Sequence, residues 1–404
     1  MRKAITHLSD LLHGKVITQK EQYQKALYIA SDEGHKEIAM LLLQKGTNAN
    51  AKGERDNKHA YALHAASFNG YKEIVQLLLE RGANVNAQAQ GHTYYTRNAL
   101  QAASLRGHEE IVQLLLDSGA DVNAQGGSHG NALQAASYNG HKKVVQLLLE
   151  RGANVNMQGG FRGNSLQAAS YKGHIGVVQL LLERGANINV QGGHYGNALQ
   201  AASDSGHKAI VQLLLDSGAD VNGHGGFHGN ALHAASYNGH KKVVQLLLER
   251  GANVNMQGGV HGNSLQAASY NGHKGVVKLL LERGANVNMQ GRGYSVRYSL
   301  QAASYNGHKE VAQLLLDSGA DVNAQGGDAG NALYAACNSL PACSKCQKEV
   351  VQLLLERGAN VNMQGGFYGN ALQYASYNGH KEVVQLLLDG GADVNAQGDR
   401  KSVV

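Results

Sequence analysis

Residues 132–160 read Ala-Leu-Gln-Ala-Ala-Ser-Tyr-Asn-Gly-His-Lys-Lys-Val-Val-Gln-Leu-Leu-Leu-Glu-Arg-Gly-Ala-Asn-Val-Asn-Met-Gln-Gly-Gly, and close copies of this stretch recur along nearly the whole chain. A fixed period of about 20 to 50 residues is typical of proteins built from stacked copies of one small structural unit. The sequence therefore predicts an array of eleven repeats, each with a Leu-Leu-Leu triplet. The repeats begin at Ala26, Ala62, Ala99, Ala132, Ser165, Ala198, Ala231, Ser264, Ser299, Ala332 and Ala371.

Each repeat is predicted to form two short helices followed by a finger-like loop. Asn131 is a good N-cap for a first helix from 132 to about 138, and Gly140 can end that helix in the left-handed conformation. The second helix, 142–151, gathers valines and leucines on one broad apolar face. The Asn- and Gly-rich segment 153–164 has no helical periodicity and is typical of a turn-forming finger. One repeat cannot bury its leucines alone, so we expect the repeats to stack.

Composition excludes several other classes of protein. The 404 residues include 16% charged residues with a net charge of +6, which disfavours a polybasic nucleic-acid binder or a charge-rich disordered chain. The 52 glycines come with a single proline, which excludes a collagen-like chain. Apolar runs are too short to span a bilayer, and the N-terminus has no signal-peptide core. The three clustered cysteines form no disulfide framework. We expect a soluble cytoplasmic protein, or alternatively a nuclear one, with no nucleic-acid or membrane partner.

The repeats resemble the ankyrin-repeat family. The family pattern Leu-His-x-Ala-Ala-x-x-Gly-His appears here as Leu133-Gln-Ala-Ala-Ser-Tyr-Asn-Gly-His141, and the pattern Val-x-x-Leu-Leu-x-x-Gly-Ala-x-x-Asn runs from Val144 to Asn156. The family's Thr-Pro before the first helix is Asn-Ala or Asn-Ser here. Over residues 26–398 the resemblance implies an all-α ankyrin-repeat solenoid with finger hairpins along one edge. It also implies a non-enzymatic scaffold or adaptor that binds a partner protein through a concave surface of fingers and first helices.

Two other functions stay open. The sequence pattern Gly-Gly-x-x-Gly-Asn-Ala-Leu-Gln-Ala-Ala-Ser is most similar to ankyrin arrays of filamentous fungi. Those arrays often follow nucleotide-binding, signalling or effector modules. That resemblance implies a sensor arm related to fungal signalling and immune receptors. The third alternative is a small-molecule-binding or catalytic protein of a biosynthetic pathway. It needs a convergent polar pocket, which the sequence does not display.

A pair of residues at each fingertip varies while the frame around it stays nearly constant. Residues 132–160 and 231–259 differ only at Gln134 and His233, yet the residue pairs that follow them differ completely. A constant frame with variable tips is typical of a scaffold that presents recognition residues, and the alternative is drift at solvated tips. The predicted fingertip residues are His129, Phe161, Arg162, His194, Tyr195, Phe227, His228, His261, Phe367 and Tyr368, and irregular fingers add Tyr94, Tyr95, Arg97, Tyr294, Arg297 and Tyr298.

A second aromatic set lies at the end of the first helix. We predict that it joins the fingertips in binding the partner, because Tyr and Arg are enriched among residues that dominate binding energy. The alternative is that these rings pack between neighbouring repeats as spacers, and both roles can hold at once. The set comprises Tyr138, Tyr171, Tyr237, Tyr270, Tyr305 and Tyr377, with Phe68 at the corresponding position of an early repeat.

Signals for catalysis, cofactors and metals are weak. Nine histidines occupy a strictly repeated Gly-His turn, which indicates structural hydrogen bonding. Four fingertip histidines could share metal ions only if fingers converged, because stacked helices lie about 8–10 Å apart and Zn–N bonds are about 2 Å long. Walker, zinc-protease and dinucleotide motifs are absent. We therefore expect no enzyme activity, no cofactor and no metal site.

One repeat is disrupted by residues 338–347, which replace the usual turn and add six residues. Cys337, Cys343 and Cys346 lie in or beside this segment. Zinc binding, a thiol–disulfide switch and a neutral insertion are three alternative interpretations, and no fourth zinc ligand is evident.

The two ends of the array carry different patterns. Residues 1–25 can form a helix with leucines and an isoleucine on one side, which predicts an N-terminal cap. The last repeat keeps an interior apolar pattern before the tail 399–404. Terminal repeats normally have a polar outer face, so this end predicts fraying, self-association, a covering partner or descent from a longer parent.

Overall fold

The computed structural model describes residues 19–53, 60–89, 96–259, 262–291, 297–337, 344–365 and 368–396. Within these residues the chain is all-helical, with eleven helix pairs. The first helices are α1 (Gln19–Asp32), α3 (Ala62–Asn69), α5 (Ala99–Arg106), α7 (Ala132–Asn139), α9 (Ser165–Lys172), α11 (Ala198–Asp204), α13 (Ala231–Tyr237), α15 (Ser264–Tyr270), α17 (Ser299–Tyr305), α19 (Ala332–Cys337) and α21 (Ala371–Tyr377). The second helices are α2 (Lys36–Gln44), α4 (Lys72–Glu80), α6 (Glu109–Asp117), α8 (Lys142–Glu150), α10 (Ile175–Glu183), α12 (Lys208–Asp216), α14 (Lys241–Glu249), α16 (Lys274–Glu282), α18 (Lys309–Asp317), α20 (Ser344–Glu356) and α22 (Lys381–Asp389).

The chain divides into two compact bodies. The N-terminal body comprises residues 1–169 and 176–186, and the C-terminal body comprises residues 170–175 and 187–404. In the N-terminal body α3, α5 and α7 pack one on the next. In the C-terminal body α11, α13, α15, α17, α19 and α21 do the same. Helix α1 begins at Gln19, so it runs without a break across the predicted boundary between a cap and the first repeat. No described helix is long and apolar enough to cross a membrane.

Small side chains let the first helices approach each other closely. In α13, Leu232, Ala234 and Ala235 are almost fully buried, and the second helix of that repeat buries Val244 and Leu247 completely. Alanine adds little bulk, so neighbouring first helices approach closely, while the leucines fill the space between the two helix layers. The core of each repeat is therefore completed by its neighbour, as stacked repeats require.

Asparagine caps the first helices, as the sequence predicts. The Asn197 side chain accepts a hydrogen bond from the backbone N–H of Gln200 at 2.9 Å, and the Gln200 Oε1 accepts one from the Asn197 N–H at 2.7 Å. This reciprocal pair satisfies two N–H groups that a helix start leaves without partners. The same arrangement occurs at Asn131, Asn164, Asn263 and Asn370. The capping asparagine occupies the place that Thr-Pro has in the family pattern.

The Gly-His turn makes the structural hydrogen bonds that its repetition predicts. The His273 Nε2 lies 2.9 Å from the Tyr237 carbonyl oxygen, and the His308 Nε2 lies 3.1 Å from that of Tyr270. Each imidazole thus joins the start of a second helix to the end of the first helix in the preceding repeat. The same bond occurs at His108, His141, His207 and His240.

Acidification is expected to weaken the fold at one of these turns. Burial lowers the pKa of His308, and the hydrogen bond to the Tyr270 carbonyl opposes that shift only partly. The unfolded chain therefore binds more protons than the folded chain below the ordinary histidine pKa, so stability falls as the pH drops below about 6.5. Melting temperatures measured from pH 7.5 to 5.5 should fall less steeply for His308→Gln than for the wild type. The exposed His224, changed to Gln, should leave the slope unchanged, and equal slopes for all three proteins would contradict the prediction.

Two ladders on the exposed side of the repeats join one copy to the next. In the first, the Asn222 Nδ2 donates to the Gly251 carbonyl at 3.3 Å and its Oδ1 accepts from the Asn253 N–H at 2.8 Å. In the second, Arg250 lies 2.7 Å from Asp216. Hydrogen bonds from Gln212 and Arg250 hold the pKa of Asp216 below its ordinary value. Both ladders fix the register of neighbouring repeats.

Candidate partner-binding surface

A buried glutamine fastens several of the fingers to the first helix before them. The Gln200 side chain is 2% exposed, and its Nε2 donates to the carbonyl oxygens of Gly223 at 3.0 Å and Gly229 at 2.9 Å. One carbonyl lies where the following finger begins, and the other lies just after its tip. Gln101, Gln134 and Gln301 make the corresponding bonds. Sequence reasoning missed this role, although a polar residue repeated inside the apolar Leu-x-Ala-Ala pattern was a usable signal.

Neighbouring fingers also bond to each other through their backbones. The Phe227 N–H donates to the His194 carbonyl at 3.0 Å, and the Gly259 N–H donates to the His228 carbonyl at 2.9 Å. Within one finger, Gly225 and Gly229 pair as a short antiparallel bridge. The tips are therefore held at fixed positions, so their side chains are presented by an ordered backbone.

Rings from the fingertips and from the helix ends meet in a central aromatic cluster in the C-terminal body. Tyr195 stacks on Tyr171 with ring centroids 4.2 Å apart, and His194 stacks on Phe227 at 5.3 Å. His228 links Phe227 to Tyr237, at 5.0 Å and 5.1 Å from their ring centroids. The two aromatic sets identified in the sequence thus form one surface here. The cluster comprises Tyr171, His194, Tyr195, Phe227, His228 and Tyr237.

In three described fingers, the second residue of the tip packs on the end of the first helix of its own repeat. The His228 Nε2 lies 3.0 Å from the Asp204 Oδ1, with the two side chains 11% and 16% exposed. Arg162 lies over the Tyr138 ring at 3.8 Å, and its Nη2 donates to the Tyr138 hydroxyl at 3.1 Å. Tyr195 on Tyr171 is the third such pair. The second position of these fingertips therefore contributes to packing within the repeat.

In two of the fingers the first residue of the tip is a strongly exposed phenylalanine. The side chains of Phe161 and Phe227 are 58% and 44% exposed, although phenylalanine is mostly buried in folded proteins. Both fingers are held by backbone bonds, since the Phe161 N–H donates to the Ser128 carbonyl at 3.2 Å. Exposed aromatic rings on a fixed backbone are suited to contact with another molecule.

The other residues that the sequence predicts to bind the partner differ in their contacts and exposure. His129 meets the Tyr138 ring edge to face at 5.5 Å, and Tyr270 stacks on Tyr305 at 6.4 Å. Arg297 is exposed, whereas Arg97 is partly buried. The Tyr298 N–H donates to the Gln301 Oε1 at 3.1 Å, in place of the capping asparagine. Tyr94, Tyr95, His261, Tyr294 and Phe367 lie outside the described residues.

Four tyrosines form a C-terminal tyrosine cluster, of which the sequence analysis named only two. Tyr368 stacks on Tyr377 at 4.5 Å and lies 4.9 Å from Tyr374, which stacks on Tyr334 at 5.0 Å. Tyr334 and Tyr374 replace the repeat's usual glutamine and alanine, which was the available signal. Burial raises the pKa of Tyr374, and the hydrogen bond with Tyr377 raises that of Tyr368. These phenols are therefore neutral at physiological pH.

The disrupted repeat places its first cysteine in the core. Cys337 is fully buried at the end of α19, and burial raises the pKa of its thiol to about 12. A thiol held in its protonated form is a poor metal ligand and a poor nucleophile. Cys343 and the side chain of Cys346 lie outside the described residues. Among the described residues, no three His, Cys, Asp or Glu side chains lie close enough together to hold a metal ion.

An open cavity of about 460 Å³ lies at the finger roots of the C-terminal body. Its lining residues are Asn288, Tyr298, Asp321, Asn323, Ala324, Gln325 and Met363. This lining offers a single carboxylate and no histidine, lysine or cysteine.

The last repeat exposes side chains whose counterparts are more covered in interior repeats. Tyr377, Leu388 and Val394 are all exposed. Self-association through this face stays a prediction.

Comparison with known proteins agrees with the repeat pattern. The family model described as ankyrin repeats (3 copies) matches residues 3–89, 90–159, 158–224, 199–291, 257–326 and 299–398, and the model described as ankyrin repeats (many copies) matches residues 63–116. Among solved structures, the crystal structure of the human ASB11 ankyrin repeat domain is similar, with 30% identity over 56% of this chain and 98% of that chain and a TM-score of 0.48. Among curated proteins, no sequence matches this chain.

The family matches extend over nearly all of the helix pairs described above. The predicted fold class, an all-α array of ankyrin repeats, is confirmed. Helix pairs, asparagine caps, Gly-His turns and fingers recur together in register along the described chain. The chain therefore belongs to the ankyrin-repeat family.

Proposed function

We propose that this chain is a non-enzymatic adaptor or scaffold that holds a partner protein against its fingertips and first-helix ends. Ankyrin repeats generally mediate protein–protein interaction. The observation that carries the proposal is the exposure of Phe161 and Phe227 on fingers whose backbones are fixed by hydrogen bonds. A fixed aromatic side chain loses little conformational freedom on binding, so its buried area contributes efficiently to affinity.

Other residues of the surface have a supporting role in this proposal. Arg162, Tyr195 and His228 pack on helix ends and set the positions of the exposed rings beside them. The reducing environment that the clustered cysteines predict makes the cytoplasm the proposed compartment. No described feature favours the fungal sensor arm or the biosynthetic alternative over the adaptor.

A pull-down with a matched control tests the proposal. Full-length Phe161→Ala/Phe227→Ala should lose the partners that the wild type captures from a cell lysate, with at least about a tenfold drop in recovery, because truncated hot-spot residues cost about 2 kcal/mol or more each. The control is Ile38→Ala/Ile175→Ala, since both isoleucines are exposed apolar residues on second helices. The control should keep the partners, and both variants should keep the wild-type circular dichroism spectrum. Equal recovery by the fingertip variant and the control would overturn the proposal.

A further inference from the structure

Charge is segregated between the two helix layers of the N-terminal body. The first helices α3, α5 and α7 contain no aspartate or glutamate, and the fingers between residues 60 and 169 contain one in the described part of the chain, Asp121. Asp121 stands at a finger root, where its Oδ1 accepts the Asn123 N–H at 2.9 Å. The acidic residues of this body lie mainly on the second helices, including Glu73, Glu109 and Glu110.

Two arginines on this surface lie over aromatic rings. Arg162 lies 3.8 Å from the Tyr138 centroid, and Arg106 lies 5.1 Å from the Phe68 centroid. Neither has a carboxylate partner among the described residues. Stacking on a ring orients the guanidinium plane and leaves N–H groups at its edge to bind an anion. These two arginines and the exposed Phe161 define the basic-aromatic surface.

Two acidic residues mark the N-terminal edge of the basic-aromatic surface. Asp32 and Glu33 stand at the end of α1, and the Asp32 Oδ1 accepts a hydrogen bond from the Asn69 Nδ2 at 3.0 Å. Beyond that edge, Arg106 at the end of α5 and Arg162 at a fingertip have no carboxylate partner among the described residues. A partner that carried positive charge here would be repelled, whereas carboxylates would be attracted and oriented.

We propose that the basic-aromatic surface binds an acidic, extended peptide segment of the partner protein. This inference rests on the proposed adaptor function and names the chemistry of the partner. Phe68 and Tyr138 belong to repeats two steps apart, so their arginines are separated by about 16–20 Å at helix-packing distances of 8–10 Å. An extended peptide advances about 3.3 Å per residue. Two carboxylates five or six residues apart therefore match the two guanidinium groups, with an apolar residue reaching Phe161.

The proposal is tested with labelled peptides on the full-length protein. Fluorescence anisotropy at 50 mM salt should show binding of a 12-residue polyglutamate peptide, and affinity should fall as salt rises to 200 mM, because the contact is between exposed charges. Arg106→Gln/Arg162→Gln should weaken binding at least about tenfold, because each change removes a charge-assisted hydrogen bond to a carboxylate. The control Arg81→Gln/Arg184→Gln removes the same charge from the second-helix side and should bind as the wild type does.

Spacing and ligand class supply two further readouts. A serine-rich peptide with glutamates at positions i and i+5 should bind about fivefold more tightly than one with adjacent glutamates. Equal loss of polyglutamate binding in the two arginine pairs would overturn the proposal, because net charge alone would explain it. Tighter binding of a 12-nucleotide thymidylate than of polyglutamate would overturn it in favour of a nucleic acid. Wild-type protein that binds no polyglutamate, while the Phe161/Phe227 variant still loses its captured partners, would overturn this inference and leave the adaptor function standing.

Discussion

Gln200→Ala is expected to lower the free energy of unfolding by about 2–5 kcal/mol, because it leaves buried backbone groups without partners at about 1–3 kcal/mol each. The wild-type side chain bonds the Asn197 N–H and the carbonyls of Gly223 and Gly229. The Gly229 carbonyl keeps the Gly225 N–H as a partner, so the loss falls mainly on the other two groups. Urea unfolding followed by circular dichroism measures the total effect, and hydrogen exchange across residues 223–229 shows where it occurs.

The matched control for this change is Gln245→Ala. Gln245 is an exposed glutamine on α14, and its Nε2 donates only to Glu249, at 2.8 Å. Its removal should change the free energy of unfolding by less than about 0.5 kcal/mol, as is usual for surface substitutions. If the two variants unfolded at the same urea concentration, the buried amide would not be what fastens the finger.

Gly229→Ala is expected to destabilise the protein by about 2–5 kcal/mol and to displace a fingertip. Gly229 has φ +74°, and an added Cβ would lie 2.6 Å from both Gly258 C and Gly259 N in the next finger. The left-handed backbone costs an alanine about 1–2 kcal/mol, and the forced separation of packed groups adds about 1–3 kcal/mol. Because Phe227 and His228 stand on the same finger, partner capture in the pull-down should fall as well.

Gly251→Ala separates the backbone effect from the packing effect. Gly251 has φ +87°, yet an added Cβ would meet no atom within 4 Å. Only the cost of about 1–2 kcal/mol for the left-handed conformation is expected, with partner capture unchanged. Equal destabilisation by the two alanines in thermal melts would show that close finger contact contributes nothing.

Local signals in the sequence were sufficient to predict the repeat and its helix ends. Asn131 precedes an apolar helix and caps it, and Gly140 ends that helix with φ +76°, as their residue types favour. The Gly-His turn was predicted to be structural because it recurs in register, and the bonds of six of these histidines confirm that. These features depend on residues within a few positions of each other, so one sequence contains the information.

The candidate site was only partly predictable from the same sequence. The fingertip and helix-end aromatics were identified, but the sequence did not show which of them are exposed. Phe161 and Phe227 point outward, whereas Arg162 and His228 pack on helix ends that lie 24 residues away in the chain. A residue pair at that separation meets only after the finger folds back onto the first helix of its own repeat, so variation at both positions resembled independent variation.

By itself the sequence determined a stack of two-helix repeats, because the repeat length, the helix caps and the apolar helix faces are local properties that recur from copy to copy. Tertiary structure alone decided how each finger is held and which tip residue is exposed. Gln200 reaches a finger carbonyl 29 residues later in its own repeat, and the Phe227 N–H reaches the His194 carbonyl across a repeat boundary. Such contacts join residues that are far apart in the sequence, so their geometry arises only when each finger folds back on its helices and the repeats stack.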